Sequence, residues 1–249
     1  MEGKFEEIKQ EILRRAHGAG ACKEQYGRAY KAETMARLCR VIKDNWNWCC
    51  DNAVVTPDLL EKYREEFAEQ QIYVNVDTDN GFLLAWGYTT VEASGTATVR
   101  AWDNATVEAL DNATVEAWDN ATVRASHTAT VRASGNATVR AWDNATVWAS
   151  GNATVRASDN ATVRASHNAT VRASHTATVR ASGNATVEAW GYVTVRASDN
   201  ATVEAWGNAY CTSDSMIKCK LSGHALHKVC STNTVYFASD DIKFVKQES

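Results

Sequence analysis

Between Asn80 and Gly207 one eight-residue unit, N-A-T-V-R/E-A-S/W-G/D, recurs sixteen times with no insertion. Few arrangements of a chain tolerate so short and strict a period. We letter its positions a to h; the units Asn112 to Asp119 and Asn152 to Asp159 state the rule. Positions b, d and f hold Ala, Val and Ala almost throughout, a period-two alternation that marks a strand with one buried face. Thr at c and Arg or Glu at e then point to water. Asn at a, with Gly, Asp or His at h, makes the corner, because Asn, Asp and Gly accept positive φ at low cost. One Ala-Val-Ala face buries too little apolar surface to be stable alone. Stacked copies share a continuous core and pair each backbone group with a neighbour.

The unit therefore predicts a mainly β fold: a flattened two-sheet β-solenoid with two octads per coil and an N-terminal α-helical cap. Small inward side chains suit two sheets pressed close together. At about 4.8 Å per coil, eight coils rise roughly 38 Å. A triangular coil of three octads is the alternative, but its wider lumen would exceed what Ala and Val can fill.

Two octads per coil sort position e into two faces. One carries Glu92, Glu108, Arg124, Arg140, Arg156, Arg172, Glu188 and Glu204; the other carries Leu84, Arg100, Glu116, Arg132, Trp148, Arg164, Arg180 and Arg196. The first is a block of four Arg flanked by Glu pairs, an order that the triangular coil would scatter. At g, Trp86, Trp102 and Trp118 fall on one edge, with Trp190 and Trp206 on the opposite one.

Residues 1–71 are expected to form the helical cap, 72–207 the solenoid, and 208–249 degenerate coils with a C-terminal cap. Phe5, Ile8, Ile12 and Leu13 have helical spacing. A second helical pattern runs from about Lys23 to Asp44, with Tyr26, Tyr30, Met35, Leu38, Val41 and Ile42 on its apolar side. Thr56-Pro57-Asp58 reads as a helix start, with Pro at the first position, and Leu59, Leu60, Tyr63 and Phe67 follow. Ile72 to Val76 is strand-like. The cap is expected to close the open strand edge at the solenoid's end, where Trp86, Trp102 and Trp118 would lie under the helices. Past Gly207, counting on by eight puts Cys211 and Cys219 at d, Ala209, Ile217 and Ala225 at b, and Leu221 and Val229 at f. Thr234 to Phe237 and Ile242 to Val245 are expected as closing strands.

The chain has 249 residues, one Pro and net charge −4, a composition that argues against disorder. No apolar run reaches membrane length, and the charged start Met1-Glu2-Gly3-Lys4 is unlike a signal peptide, so a cytoplasmic location with reduced thiols is expected. The many N-A-T triplets match a glycosylation acceptor, but position a needs Asn for the corner itself.

Candidate chemistry is sparse. Cys219, His224, His227 and Cys230 contain metal-ligand types, at a spacing that fits no familiar zinc pattern; the period places Cys219 in the core. A hydrolase built on this cluster would need a bound metal. His127, His167 and His175 occupy h as corner variants, and Ser residues at g such as Ser158 and Ser166 are read as having no base fixed beside them. Neither a P-loop nor a nucleotide fingerprint is present. No enzyme activity and no cofactor are expected.

The principal expectation is a structural scaffold or protein-interaction module using its helical cap and the Trp stripe Trp86, Trp102, Trp118, Trp190 and Trp206. The alternative is a polyanion ladder for nucleic acid or anionic glycan, built from Arg124, Arg140, Arg156, Arg172, Arg164, Arg180 and Arg196. From Asn120 to Gly183 seven Arg face only two Asp, and stacked Arg repel unless an anion relieves them. Expected partners are a protein, a second copy of the chain, or such a polyanion. Ice binding by the Thr rows at c is disfavoured, because long Arg and Glu at e break a flat surface.

Runs such as Asp103-Asn104-Ala105-Thr106-Val107-Glu108-Ala109, with the segment Glu24-Gln25-Tyr26-Gly27-Arg28-Ala29-Tyr30-Lys31-Ala32-Glu33 before them, resemble uncharacterised octapeptide-repeat proteins of gut Bacteroidales and their phages and mobile elements. The resemblance implies a source and an architecture, and no activity.

Overall fold

The computed structural model describes residues 2–238. Six helices come first: α1 (Glu2–Gly18), α2 (Lys23–Tyr30), α3 (Met35–Asp44), α4 (Trp46–Asp51), α5 (Pro57–Lys62) and α6 (Arg64–Ala68). Strand β1 (Ile72–Val74) follows, and β2 (Phe82–Ala85) and β3 (Thr90–Ala93) open the solenoid. From there each octad gives one four-residue strand spanning c to f, as far as β17 (Thr202–Ala205). The degenerate part adds β18 (Tyr210–Ser213), β19 (Lys218–Leu221), β20 (Leu226–Val229) and β21 (Thr234–Phe237).

Even-numbered strands stack as one parallel sheet and odd-numbered strands from β3 to β19 as the other, so each coil takes two octads and the solenoid makes about nine turns. We call these the even and odd sheets. Register is kept letter for letter: Val147 lies beside Val131 and Val163, and Thr146 beside Thr130 and Thr162. Ala at b and f and Val at d form one continuous core with almost no exposure. The corner is as expected at h, which adopts left-handed φ whether it holds Asp103 (56°), His127 (54°) or Gly151 (63°); among the described residues no Asn at a does so, and these Asn pair instead along the stack, as Asn152 Nδ2 donates to Asn136 Oδ1 at 3.4 Å. Gly95 is a position where only glycine fits, because a Cβ there would collide with the Asp79 carbonyl.

The helical part differs from a simple end cap. Strand β1 pairs in parallel with β2 and so supplies the terminal rung of the even sheet. Its Tyr73 packs against the solenoid core, while Ile72 and Val74 face the helices. The first rung of the odd sheet is closed by backbone: the Thr78 N–H donates to Glu92 O, and Ser94 N–H donates to Thr78 O. The helices are thus freed to lie on the outward side of the first even-sheet strands, where Phe82 and Leu84 replace the usual polar residues and join the helical core. Trp46 meets Phe82 there with ring centroids 5.1 Å apart.

Within the helical part the expected stretch from Lys23 to Asp44 is broken. Thr34 caps α3 by accepting from the Arg37 N–H, and the turn before it resets the helical register. Tyr30 consequently faces solvent, and Ala29 and Ala32 take the buried places. Thr56 and Pro57 start α5 as the sequence predicts, with Leu59, Leu60, Tyr63 and Phe67 buried. Strand β1 ends at Val74 because Asn75 turns left-handed (φ 49°). Thr234 to Phe237 forms β21, antiparallel to β20. The expected strand Ile242 to Val245 lies outside the described residues.

Candidate functional site

Both outer faces of the solenoid carry an Arg row at e beside a Ser and Trp row at g, because e points outward and g lies just past the strand, at the corner. On the odd sheet the row runs Glu108, Arg124, Arg140, Arg156, Arg172, Glu188 in unbroken register. Arg124 Nη1 donates to Glu108 Oε1 at 2.8 Å, and Arg172 Nε donates to Glu188 Oε2 at 2.9 Å. The inner two, Arg140 and Arg156, have no ion pair among the described residues.

The even sheet repeats this logic with an added ring. Its row reads Glu116, Arg132, Trp148, Arg164, Arg180, Arg196. Arg132 lies 3.6 Å from Glu116 and Arg196 3.7 Å from Asp214, so both ends are neutralised. Arg164 and Arg180 again have no ion pair among the described residues. The Arg132 and Arg164 guanidiniums sit 5.4 and 5.9 Å from the Trp148 ring centroid, within cation–π range. Beside this row Ser134, Ser150, Ser166, Ser182 and Ser198 line a groove of about 600 Å³, with Trp118 at one end and Asp214 at the other. A groove of about 550 Å³ on the odd sheet lies among Arg140, Arg156, Arg172, Ser158, Trp142 and Trp190.

The expected Trp stripes divide by location. Trp102 packs against the helical core. Trp118 lies under the Arg100 guanidinium, 4.3 Å from its ring centroid. Trp86 remains exposed, so the expected cover over these three is incomplete. On the opposite edge Trp190 is 42% exposed beside Tyr192 at 68%, and Trp206 is half-buried. Sequence reading missed Trp142 on that edge and gave Trp148 no role; the octad count alone places both.

The metal candidates are not assembled. Cys219 and His227 point into the core, whereas His224 and Cys230 are exposed, and among the described residues no three His, Cys, Asp or Glu lie where they could hold an ion. His227 sits at d, and its Nε2 is 2.7 Å from Ser213 Oγ. Burial lowers its pKa from the usual imidazole value. Hydrogen bonding with Cys219 and burial hold the Cys211 thiol well above its ordinary range. Burial, the largest cause at each, pushes Cys39, Cys49 and Cys50 up to about 12 despite the cations of Lys43 near Cys39 and Arg100 near Cys50, which leaves these thiols poor nucleophiles.

The corners need a correction. Ser166 does have a base beside it, since its Oγ is 3.2 Å from His167 Nδ1, and Ser126–His127 and Ser174–His175 repeat the pair. The pairing follows from g and h being neighbours. Among the described residues no carboxylate orients the other ring nitrogen of any of the three.

Compared with family models, curated proteins and solved structures, the chain matches none. Among the described residues no helix is long and apolar enough to cross a membrane.

Proposed function

We propose that this protein is a binding module for anionic polymers, with the solenoid as a rigid rod that spaces guanidiniums one coil apart. One observation carries the reading: on each face the outer Arg are neutralised by Glu or Asp of a neighbouring coil, while Arg140, Arg156, Arg164 and Arg180 are left bare in the middle. Like charges in register destabilise a sheet, and an acidic chain laid along the row relieves that repulsion. The test is titration with a polyanion at low salt. Affinity should fall steeply between about 50 and 200 mM salt, and Arg164→Ala with Arg180→Ala should flatten that slope. Absence of binding at low salt refutes the reading.

Protein docking is a second reading, supported by exposed Trp190 and Tyr192 on one edge. A second copy of the chain is one such partner. Trp190→Ser with Tyr192→Ser, compared with wild type by size-exclusion chromatography with light scattering, tests self-association through this edge; unchanged mass removes it. A cytoplasmic location and kinship with octapeptide-repeat proteins of gut Bacteroidales belong to the same proposal, and rest on sequence alone.

A further inference from the structure

The two faces carry equal numbers of bare Arg and yet differ in kind. In the odd row every central rung is a guanidinium. In the even row one central rung is Trp148, with guanidiniums on both sides. The hydroxyls of Ser134 and Ser150, which flank Trp148 in the groove, have no hydrogen-bond partner among the described residues. An indole between two guanidiniums, free hydroxyls, and Arg164 and Arg180 without ion pairs therefore converge on one stretch. That stretch is bounded: at its ends Glu116 neutralises Arg132 and Asp214 neutralises Arg196, so the unpaired positive charge lies between them. From Arg132 to Arg196 is four coil steps, or about 19 Å.

Resting on the anionic-polymer reading, we infer that the even-sheet groove is a site for a short acidic oligosaccharide, with one sugar ring stacked on Trp148 in place of the Arg164 guanidinium that lies over it, its hydroxyls on Ser134 and Ser150, and uronate carboxylates on the displaced Arg164 and on Arg180. The indole takes the C–H face of a pyranose, leaving the ring's polar edge for the Ser row. Each guanidinium offers paired donors that match a carboxylate. Single-stranded nucleic acid fits less well, because it needs a succession of aromatic platforms for successive bases. Here one ring serves five rungs from Arg132 to Arg196; the other four hold guanidiniums, and the row beside them holds hydroxyls.

The test is calorimetric titration of the full chain at low salt with three probes: oligogalacturonate, poly-glutamate as a polyanion without sugar hydroxyls, and a single-stranded oligodeoxynucleotide. Trp148→Ala should weaken oligogalacturonate by roughly tenfold or more and leave poly-glutamate within about twofold. Trp148→Phe should restore most of the loss. Arg164→Ala with Arg180→Ala should weaken both. Affinity for oligogalacturonate should rise with chain length and level off once the groove is spanned. If Trp148→Ala weakens both polyanions equally or neither, the sugar site is overturned while the general reading stands. Tighter, Trp148-dependent binding of the oligonucleotide has the same consequence. If no probe binds, both fall. Far-UV circular dichroism shows that each variant retains its fold.

Discussion

Arg100 and Arg164 occupy the same position of the same octad on the same sheet, four coils apart, and they have opposite fates. Arg100 lies under the helices at 4% exposure, with Nη1 donating to Asn47 O at 2.9 Å and Nη2 to Asp51 Oδ1 at 2.5 Å. Its Nε has no hydrogen-bond partner among the described residues, and Glu116 Oε2 lies 3.9 Å from it. Arg164 stands exposed over Trp148, with no ion pair among the described residues. The repeat supplies identical chemistry to every coil, and what covers a coil decides whether an Arg becomes a structural clamp or a free charge.

The sharpest break in this comparison is expected at the junction corner. Gly95→Ala meets the Asp79 carbonyl at a left-handed position and should cost about 2–3 kcal/mol in denaturant unfolding. At Gly151 in the bare coils, Asp is the residue other corners already use at similar φ, so Gly151→Asp should change stability by less than about 1 kcal/mol. Equal effects at the two sites would mean that the junction is no more constrained than the rod.

Next in size is the clamp itself. Arg100→Ala removes a buried side chain and leaves the Asn47 carbonyl without its donor, a loss of about 2 kcal/mol. Arg164→Ala should lie within about 0.5 kcal/mol of wild type, since it removes an exposed charge that repels its neighbour. Thermal melts of the two variants side by side check the difference. In binding the order should reverse: Arg164→Ala with Arg180→Ala lowers polyanion affinity about tenfold at low salt, or roughly 1.4 kcal/mol, while Arg100→Ala leaves the free rows unchanged.

The same contrast explains what was legible in the sequence. The rod was readable because a period of eight applies one rule to every residue: Val147 is buried for the reason Val99 is. The helical part has no repeated rule, so Tyr30 was assigned to a buried face through a helix that in fact ends there, and the short helix α4 went unforeseen. The placement of the helices on the outer face had a trace in the sequence, in Phe82 and Leu84 standing at c and e where polar residues belong. In the degenerate coils the period was also the better guide. His227 was grouped with His224 as a ligand type by proximity in sequence, while the octad count puts it at d, inside. By the same count Ser213 falls at f, where Ala belongs.

That pair gives the smallest expected effect. Ser213 and His227 are two polar residues in core positions, partnered to each other, in coils whose other inward places hold Ala, Val, Cys, Ile and Leu. Burial lowers the folded-state pKa of His227 below the 6.5 of free imidazole, so the folded chain binds fewer protons there than the unfolded chain does. This contribution to stability is therefore complete above that value and is lost as the pH falls below it towards the folded-state pKa. Restoring the octad with His227→Val and Ser213→Ala should remove that part of the acid sensitivity. Unfolding midpoints of wild type and the double variant, followed from neutral pH downwards, should diverge, with the variant the flatter. Parallel curves would mean that His227 takes up its proton without disturbing the last coils, and that these coils, unlike the rod, open to water before the rest unfolds.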